Sequence, residues 1–412
     1  MVQNHWEMDY LTSLREVCGE EHFENALKQP NNRGITPLHI AAACGNLSFL
    51  YSRMDSLAKT FDNKGNSAAH YACYFNQAKS LNIILGRYQK CLEWQNNSGQ
   101  LPLALAFASG SSDVILSFKD ELPQYLERVD NNGNNMMLLS AYSKDPLSLE
   151  VLLKSIPPSS TNDIGQGLLH RIIQCPPAGI LLFEEAMTLK IPDNPFPLFD
   201  INMRDNKGCT PLHLLCVHQR NPDYLQLLLT HGANVNARDN DGNGALHYCA
   251  ALGNNTFLKL LLKNPDIDSL LLNDKRRTAI DTAAFNGNAK AVKKLLKYLP
   301  SSDTEEDNDT LLTDSNSRNP LHAAALSGSI ECLHLLCERF DVNGKDGQGR
   351  TPLTILFRHR DKELIEEFLQ TENVRISKAE RDFLVEHGWC PPDDLKITTE
   401  STDDNSIASE DE

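Results

Sequence analysis

Gly34-Ile35-Thr36-Pro37-Leu38-His39-Ile40-Ala41 decides the fold, because the chain keeps returning to it. Gly208-Cys209-Thr210-Pro211-Leu212-His213 and Gly349-Arg350-Thr351-Pro352-Leu353-Thr354 are clear copies. Weaker ones run from Gly65 to His70, Gly165 to His170, Gly242 to His247 and Ser317 to His322. In that frame Gly99 to Ala104, Gly133 to Leu138 and Arg276 to Asp281 fill the gaps. The position after the leucine is then residue 39, 70, 104, 138, 170, 213, 247, 281, 322 and 354. The intervals are 31, 34, 34, 32, 43, 34, 34, 41 and 32 residues, so ten units repeat with a period near 33. Self-similarity at such a period marks a stacked repeat array.

Local chemistry says what each unit does. Thr36, Thr210 and Thr351 stand where a helix needs a cap, and the following proline occupies a first turn in which no backbone donor is lost. Small residues such as Ala41-Ala42-Ala43 then let a second helix approach. Tyr224-Leu225-Gln226-Leu227-Leu228-Leu229 and Leu333-His334-Leu335-Leu336 supply that second helix's apolar stripe. Gly232 to Asn236 ends the helix and returns the chain. A unit this small cannot bury its own core, so stability has to come from stacking.

These units resemble ankyrin repeats, and the resemblance covers residues 31–369, with repeats three to five degenerate. It implies an all-α solenoid of about ten helix-pair units with short hairpins and capping helices at both ends. The expected divisions are an N-terminal capping helix over 1–30, repeats one to five over 31–175, and a Pro-rich insert over 176–200. Repeats six to ten follow over 201–370 with an acidic insert at 301–310, then a capping helix over 371–390. The last segment, 391–412, holds eight acids and one lysine and reads as a disordered acidic tail. Two origins fit that tail equally. It resembles the translocation signals of ankyrin effectors from intracellular bacteria, and it also reads as a phosphorylation-prone tail of a eukaryotic protein.

Composition narrows the function. With 412 residues, 41% hydrophobic and 23% charged, the chain has a globular balance. It has no apolar run long enough for a membrane span and no secretory leader pattern, which places it in the cytoplasm, or in a host cytoplasm if it is an effector. Eleven cysteines without framework spacing suit reduced thiols. A net charge of −16 argues against nucleic acid or an anionic membrane as the general partner.

No residue set calls for a cofactor, a metal or a catalytic centre. His39, His70, His170, His213, His247 and His322 all fall on one motif position and read as structural. Cys209, His213, Cys216 and His218 sit at diverging places in the frame, against a zinc site. Cys175 beside His170 is the best thiol pair and carries the alternative reading, an enzyme or host-modifying effector using the central insert. The leading reading is a monomeric, non-enzymatic scaffold that binds another protein, one bearing an acidic segment. The resemblance places partner contacts on hairpin tips and exposed inner-helix positions. There Tyr74, Phe75, Tyr142 and Phe285 are larger than the fold needs, as interface anchors are. The hairpin line of the second half is basic, with Arg204, Lys207, Arg238, Lys275, Arg277, Arg318 and Arg350. The resemblance also implies asparaginyl hydroxylation at Asn236 and Asn343, each with a leucine eight residues upstream and a valine just before it.

Overall fold

The computed structural model describes residues 29–57, 60–143, 145–153, 156–157, 159–175, 183–184, 186, 199–218, 221–299, 312–371, 374–386 and 396–397. The expected N-terminal cap, the acidic insert, and most of the Pro-rich insert and acidic tail lie outside these residues. The chain divides into two compact units, residues 1–206 and 207–412. Each is all-α among its described residues apart from one two-residue parallel pairing, Arg375–Ile376 with Lys396–Ile397, in the second unit.

The first unit holds the helix pairs Pro37–Cys44 and Leu47–Leu57, Ala68–Tyr74 and Ala78–Arg87, Pro102–Ser109 and Ser112–Ser117, and Met136–Ser140 and Leu147–Leu153, followed by Leu168–Gln174. The second holds Pro211–His218 and Pro222–Thr230, Ala245–Ala251 and Asn255–Leu261, Ala279–Phe285 and Ala289–Leu295, and Pro320–Ser327 and Ile330–Cys337. Pro352–Leu356 and Lys362–Leu369 form its last pair, and Lys378–Glu386 comes after. In both units first helices pack on neighbouring first helices and second on second. The core follows that pattern: Ala42, Leu50, Ala72, Leu81, Leu215, Leu228, Ala250 and Leu258 are fully buried. Helices of five to eleven residues are too short to stand alone, so this packing is what makes them helices.

The turns between units are built on a single device. The first residue of each fingertip is Asp or Asn, and its Oδ1 accepts two backbone N–H groups. Asp62 takes those of Lys64 and Asn66 at 2.8 and 2.7 Å, and Asp239 takes those of Asp241 and Asn243 at 2.9 and 2.8 Å. The tip then turns through a left-handed residue. At Gly65, with φ 77°, a Cβ would also lie 2.5 Å from the Asn97 side chain of the next finger, so glycine is required twice over. Repeats eight and nine place Arg276 and Ser317 there, both at φ 55°.

Successive fingers are hydrogen-bonded to one another. Asn63, Asn97 and Asn131 donate backbone N–H groups to Arg33, Lys64 and Ser98, each at 2.9 Å. In the second unit Asn240, Asp274, Ser315 and Gly347 do the same toward Lys207, Asp241, Lys275 and Asn316. At His70, His213, His247 and His322 the motif histidine ties finger to helix, whereas the Nε2 of His39 finds no partner among the described residues. His247 Nδ1 accepts the cap residue's N–H from Gly244 at 3.1 Å, which leaves Nε2 as the donor to the Arg277 carbonyl, 2.8 Å away in the next finger. His70 and His322 make the same bridge to Gln100 and Arg350, both at 3.1 Å. Burial holds these rings neutral; it pushes His70 down to about 4. At Thr36 and Thr210 the hydroxyl faces the histidine Nδ1 at 2.9 Å, whereas Thr351 caps its helix through the Thr354 N–H.

Repeat eight departs from this scheme. Asp281 replaces the histidine, and its Oδ2 accepts the N–H and hydroxyl of Thr278 at 2.9 and 2.7 Å. Its buried Oδ1 finds no hydrogen-bond partner among the described residues. Burial pushes this carboxyl up from 3.8 to about 7, opposed by the Thr278 bonds and, across the finger line, by Arg277, while Asp314 adds to the rise. A raised folded value means that Asp281's contribution to stability is full below 3.8 and is lost as pH climbs to about 7. Asp281→Asn should therefore gain stability relative to the parent chain between those limits and level off above them. Urea denaturation of both proteins at about pH 4.5, 6 and 8 checks this. Parallel curves across that range would show that Asp281 is ionised throughout.

Candidate functional site

In the first unit, a groove of 1180 Å³ runs between the fingertips and the first helices of repeats one to three. Its walls are finger residues such as Arg33, Asn63, Lys64 and Asn97, and its floor holds Tyr71, Tyr74, Phe75 and Leu105. The sequence builds the floor from the end of Ala68–Tyr74. Tyr71 is held by its hydroxyl, which donates to Asp62 Oδ2 at 2.9 Å, and its ring stacks 6.3 Å from Phe75. Tyr74 meets Phe75 edge-on at 5.1 Å.

Repeat three fixes this aromatic segment from below. Ser111 donates to the Tyr74 carbonyl at 3.2 Å, and Asn76, in the left-handed region at φ 59°, accepts the N–H groups of Asp113 and Val114 at 2.9 and 3.2 Å. Tyr74 and Phe75 nonetheless remain 50% and 49% exposed. Large rings held in place and half in water are unusual for residues serving only the core.

The other expected aromatics have partners. Tyr142 accepts a hydrogen bond from Arg171 Nη2 at 2.6 Å, with that guanidinium 5.4 Å from its ring centre. Phe285 lies beneath Arg277, 5.0 Å from the guanidinium carbon. Arg171, one turn before Cys175 on Leu168–Gln174, is the partner that no sequence motif marks.

The basic fingertip residues are largely stitched into the second unit's own frame. Arg238 pairs with Asp274 at 2.8 Å, Arg277 with Asp314 at 3.4 Å and Arg318 with Asp346 at 3.4 Å. Arg350 closes on Asp346 within its own finger at 2.8 Å. Burial opposes the charge of Asp346, yet the Arg350 bonds and the Gln348 N–H hold its carboxyl below 3.8. Lys275 is exposed, and its carbonyl accepts the Ser315 N–H. Lys207 is exposed on the same line, while Arg204 belongs to the first unit. The aspartates were the missed half of this site. Asp314 and Asp346 stand at the recurring first position of the finger, which the sequence shows, but their pairing with an arginine of the preceding finger is not visible there.

Both hydroxylation candidates use their amides structurally. Asn236 donates to the Asp266 carbonyl at 2.7 Å and accepts the Asp268 N–H at 2.9 Å, and Asn343 accepts the Arg375 N–H at 2.8 Å.

The chemistry candidates are spread apart. Cys209 Sγ lies 3.6 Å from the Tyr248 hydroxyl, His213 spends both ring nitrogens on Thr210 and on the Ala237 and Asn243 carbonyls, and Cys216 is buried against Cys249. Among the described residues no group of three or more His, Cys, Asp or Glu side chains could hold a metal. Cys175 is buried at the end of its helix, and His170 engages the Gly167 N–H at 3.3 Å. Among the described residues no helix is long and apolar enough to cross a membrane.

Fingers, paired helices and an exposed aromatic floor define a helix-repeat interaction module. The family model for ankyrin repeats (3 copies) matches residues 181–271, 239–307 and 280–380. The chain is 25% identical over 337 residues to human transient receptor potential cation channel subfamily A member 1, covering 78% of this chain and 28% of that protein. It is 28% identical over 247 residues to the mouse B-cell lymphoma 3 protein homolog, covering 55% and 52%. With the intracellular phospholipase A2 of Caenorhabditis elegans it shares 27% over 245 residues, covering 56% and 21%. The chain thus spans between about a fifth and about a half of the length of these curated relatives. The chain carries ankyrin repeats over residues 181–380, and its fold is that of an all-α solenoid. Its repeats support a protein-interaction scaffold role, and the family is generally a non-catalytic interaction module.

Exposure separates the thiols. Cys44 is exposed and Cys175 buried, so iodoacetamide should label Cys44 in the native chain well before Cys175. Peptide mass spectrometry of timed quenches reads this, and preferential labelling of Cys175 would revive a thiol chemistry there.

Proposed function

We propose that the chain is a non-enzymatic scaffold of the reducing cytoplasm, and that its first unit holds a partner protein in the groove floored by Tyr74 and Phe75. The observation that carries this reading is the exposure of two rings whose backbone is pinned by the following repeat. A rigid, half-exposed aromatic pair loses little conformational freedom when a partner covers it, which is the property of an interface anchor. Asn32, Asn63 and Asn97 line the surrounding groove, their amides and carbonyls bonded from finger to finger. No disulfide joins the nine described cysteines, which fits a reducing compartment.

Tyr142 and Phe285, each under an arginine, are secondary contacts in this scheme. The basic fingertips Arg204, Lys207, Arg238, Lys275, Arg277, Arg318 and Arg350 steer an acidic partner segment. Four of these arginines are already shared with aspartates, so their pull is on encounter rather than on the lifetime of the complex.

The test is the double variant Tyr74→Ala, Phe75→Ala, with a partner first captured by the parent chain and then purified. Dissociation followed by surface plasmon resonance should quicken, the affinity falling by about 1–3 kcal/mol per ring. An unchanged dissociation rate, with an unchanged circular dichroism spectrum, would remove the groove from the interface.

A further inference from the structure

The outer helices of repeats seven and eight present a surface that the fold leaves unused. Asn255–Leu261 and Ala289–Leu295 pack side by side and contain four lysines and no acid. These are Lys259, Lys290, Lys293 and Lys294, and Lys263 and Lys297 extend the two rows just past the helix ends. Phe257, Leu258 and Leu261 on one helix and Ala291, Val292 and Leu295 on the other face the core, so the lysines share the opposite side.

Their proximity is fixed by Lys294. Its Nζ crosses to the neighbouring helix and donates to the carbonyl and side-chain oxygen of Asn255, both at 3.0 Å. Its proton affinity is lowered, by desolvation first and then by Lys259 and Lys290, which shows three of the charges acting on one another. Lys259, Lys263, Lys290, Lys293 and Lys297 are exposed, and none makes an ion pair among the described residues. Like charges at three- and four-residue spacing weaken a helix, and surfaces normally intersperse signs. In a chain of net charge −16, six lysines on and just past two adjacent helices are a concentrated exception.

The patch is bounded. The preceding outer helix, Pro222–Thr230, exposes Asp223, and the following one, Ile330–Cys337, exposes Glu331 with Glu338 just beyond its end. A flat anionic bilayer or a nucleic-acid duplex would press against these acids as well as the lysines. A narrow anion avoids them.

We propose that this lysine face docks a short acidic segment of a partner protein, a second contact that rests on the scaffold reading given above. Helices 8–10 Å apart present a strip that a peptide of about ten extended residues can cross. The lysines act as mobile point charges, so the contact is strongly salt-dependent and tolerant of sequence.

The experiment uses the full chain and a fluorescent peptide of about ten Asp and Glu residues, with an Asn and Gln peptide as control. Titrations are read at low and high salt. The parent should bind the acidic peptide at low salt and lose it at high salt. The triple variant Lys259→Glu, Lys290→Glu, Lys293→Glu should bind at least roughly tenfold more weakly, in line with electrostatic focusing. The matching lysine-to-arginine variant keeps the charge and should keep binding, as should Lys119→Glu at an exposed lysine of the first unit. Several outcomes overturn the proposal: no binding by the parent, no loss on charge reversal, loss in the arginine variant, equal loss in Lys119→Glu, or tighter binding to phosphatidylserine vesicles or duplex DNA than to the peptide. Tyr74→Ala, Phe75→Ala is run alongside and should leave the peptide titration unchanged. If the lysine variants fail to matter while the groove variant still speeds partner dissociation, only the lysine surface is lost.

Discussion

The structure depends on the bond from a motif histidine to the carbonyl of the next finger. That ring sits at the start of one helix pair, takes the cap residue's N–H on one nitrogen, and reaches about thirty residues along the chain with the other, as His247 does to Arg277. Fully buried, it can do both only while neutral. The Asp or Asn that opens each finger then shapes the carbonyl line it meets. With the finger-to-finger backbone bonds and helix packing, these contacts join helix pairs too short to fold alone into a stack, where stability is shared between neighbours.

How much of this was legible follows the length scale of each interaction. Thr36-Pro37-Leu38-His39 could be read because cap, first turn and histidine lie within four residues of one another. The degenerate repeats remained readable in frame: Asn135 caps Met136–Ser140 by accepting the Leu138 N–H at 3.0 Å, although that motif has lost its threonine, proline and histidine. The Arg–Asp pairs were not legible, since Arg277 meets Asp314 and Arg318 meets Asp346 across 37 and 28 residues. The exposed aromatics were visible as oversized residues, but their rigidity comes from Asn76 and Ser111, which bond across to or from the next repeat. The lysine rows were countable in the sequence; their significance required knowing which charges the fold had already consumed.

Charge is divided between two uses. Arg277, Arg318 and Arg350 in the second unit are bound to aspartates with little side-chain exposure, most fully at Asp346, and so hold register. Of the lysines on the outer helices of repeats seven and eight, Lys294 alone makes a hydrogen bond among the described residues. Short bidentate-capable guanidinium contacts suit fixed geometry, whereas hydrated ammonium groups suit a changeable partner. Among the aromatics, Tyr142 and Phe285 each lie against an arginine yet stay 40% and 43% exposed, a little less than Tyr74 and Phe75.

The histidine bridge can be tested directly by native-state hydrogen exchange on His247→Ala. The account expects the amides of Gly244, Asn273 and Arg277 to lose protection, because one end of each finger contact is then unheld. Amides in Pro352–Leu356, two repeats further on, should change much less, as nearest-neighbour coupling requires. Unaltered exchange at Asn273 and Arg277 in a folded variant would contradict the claim that this ring couples one repeat to the next.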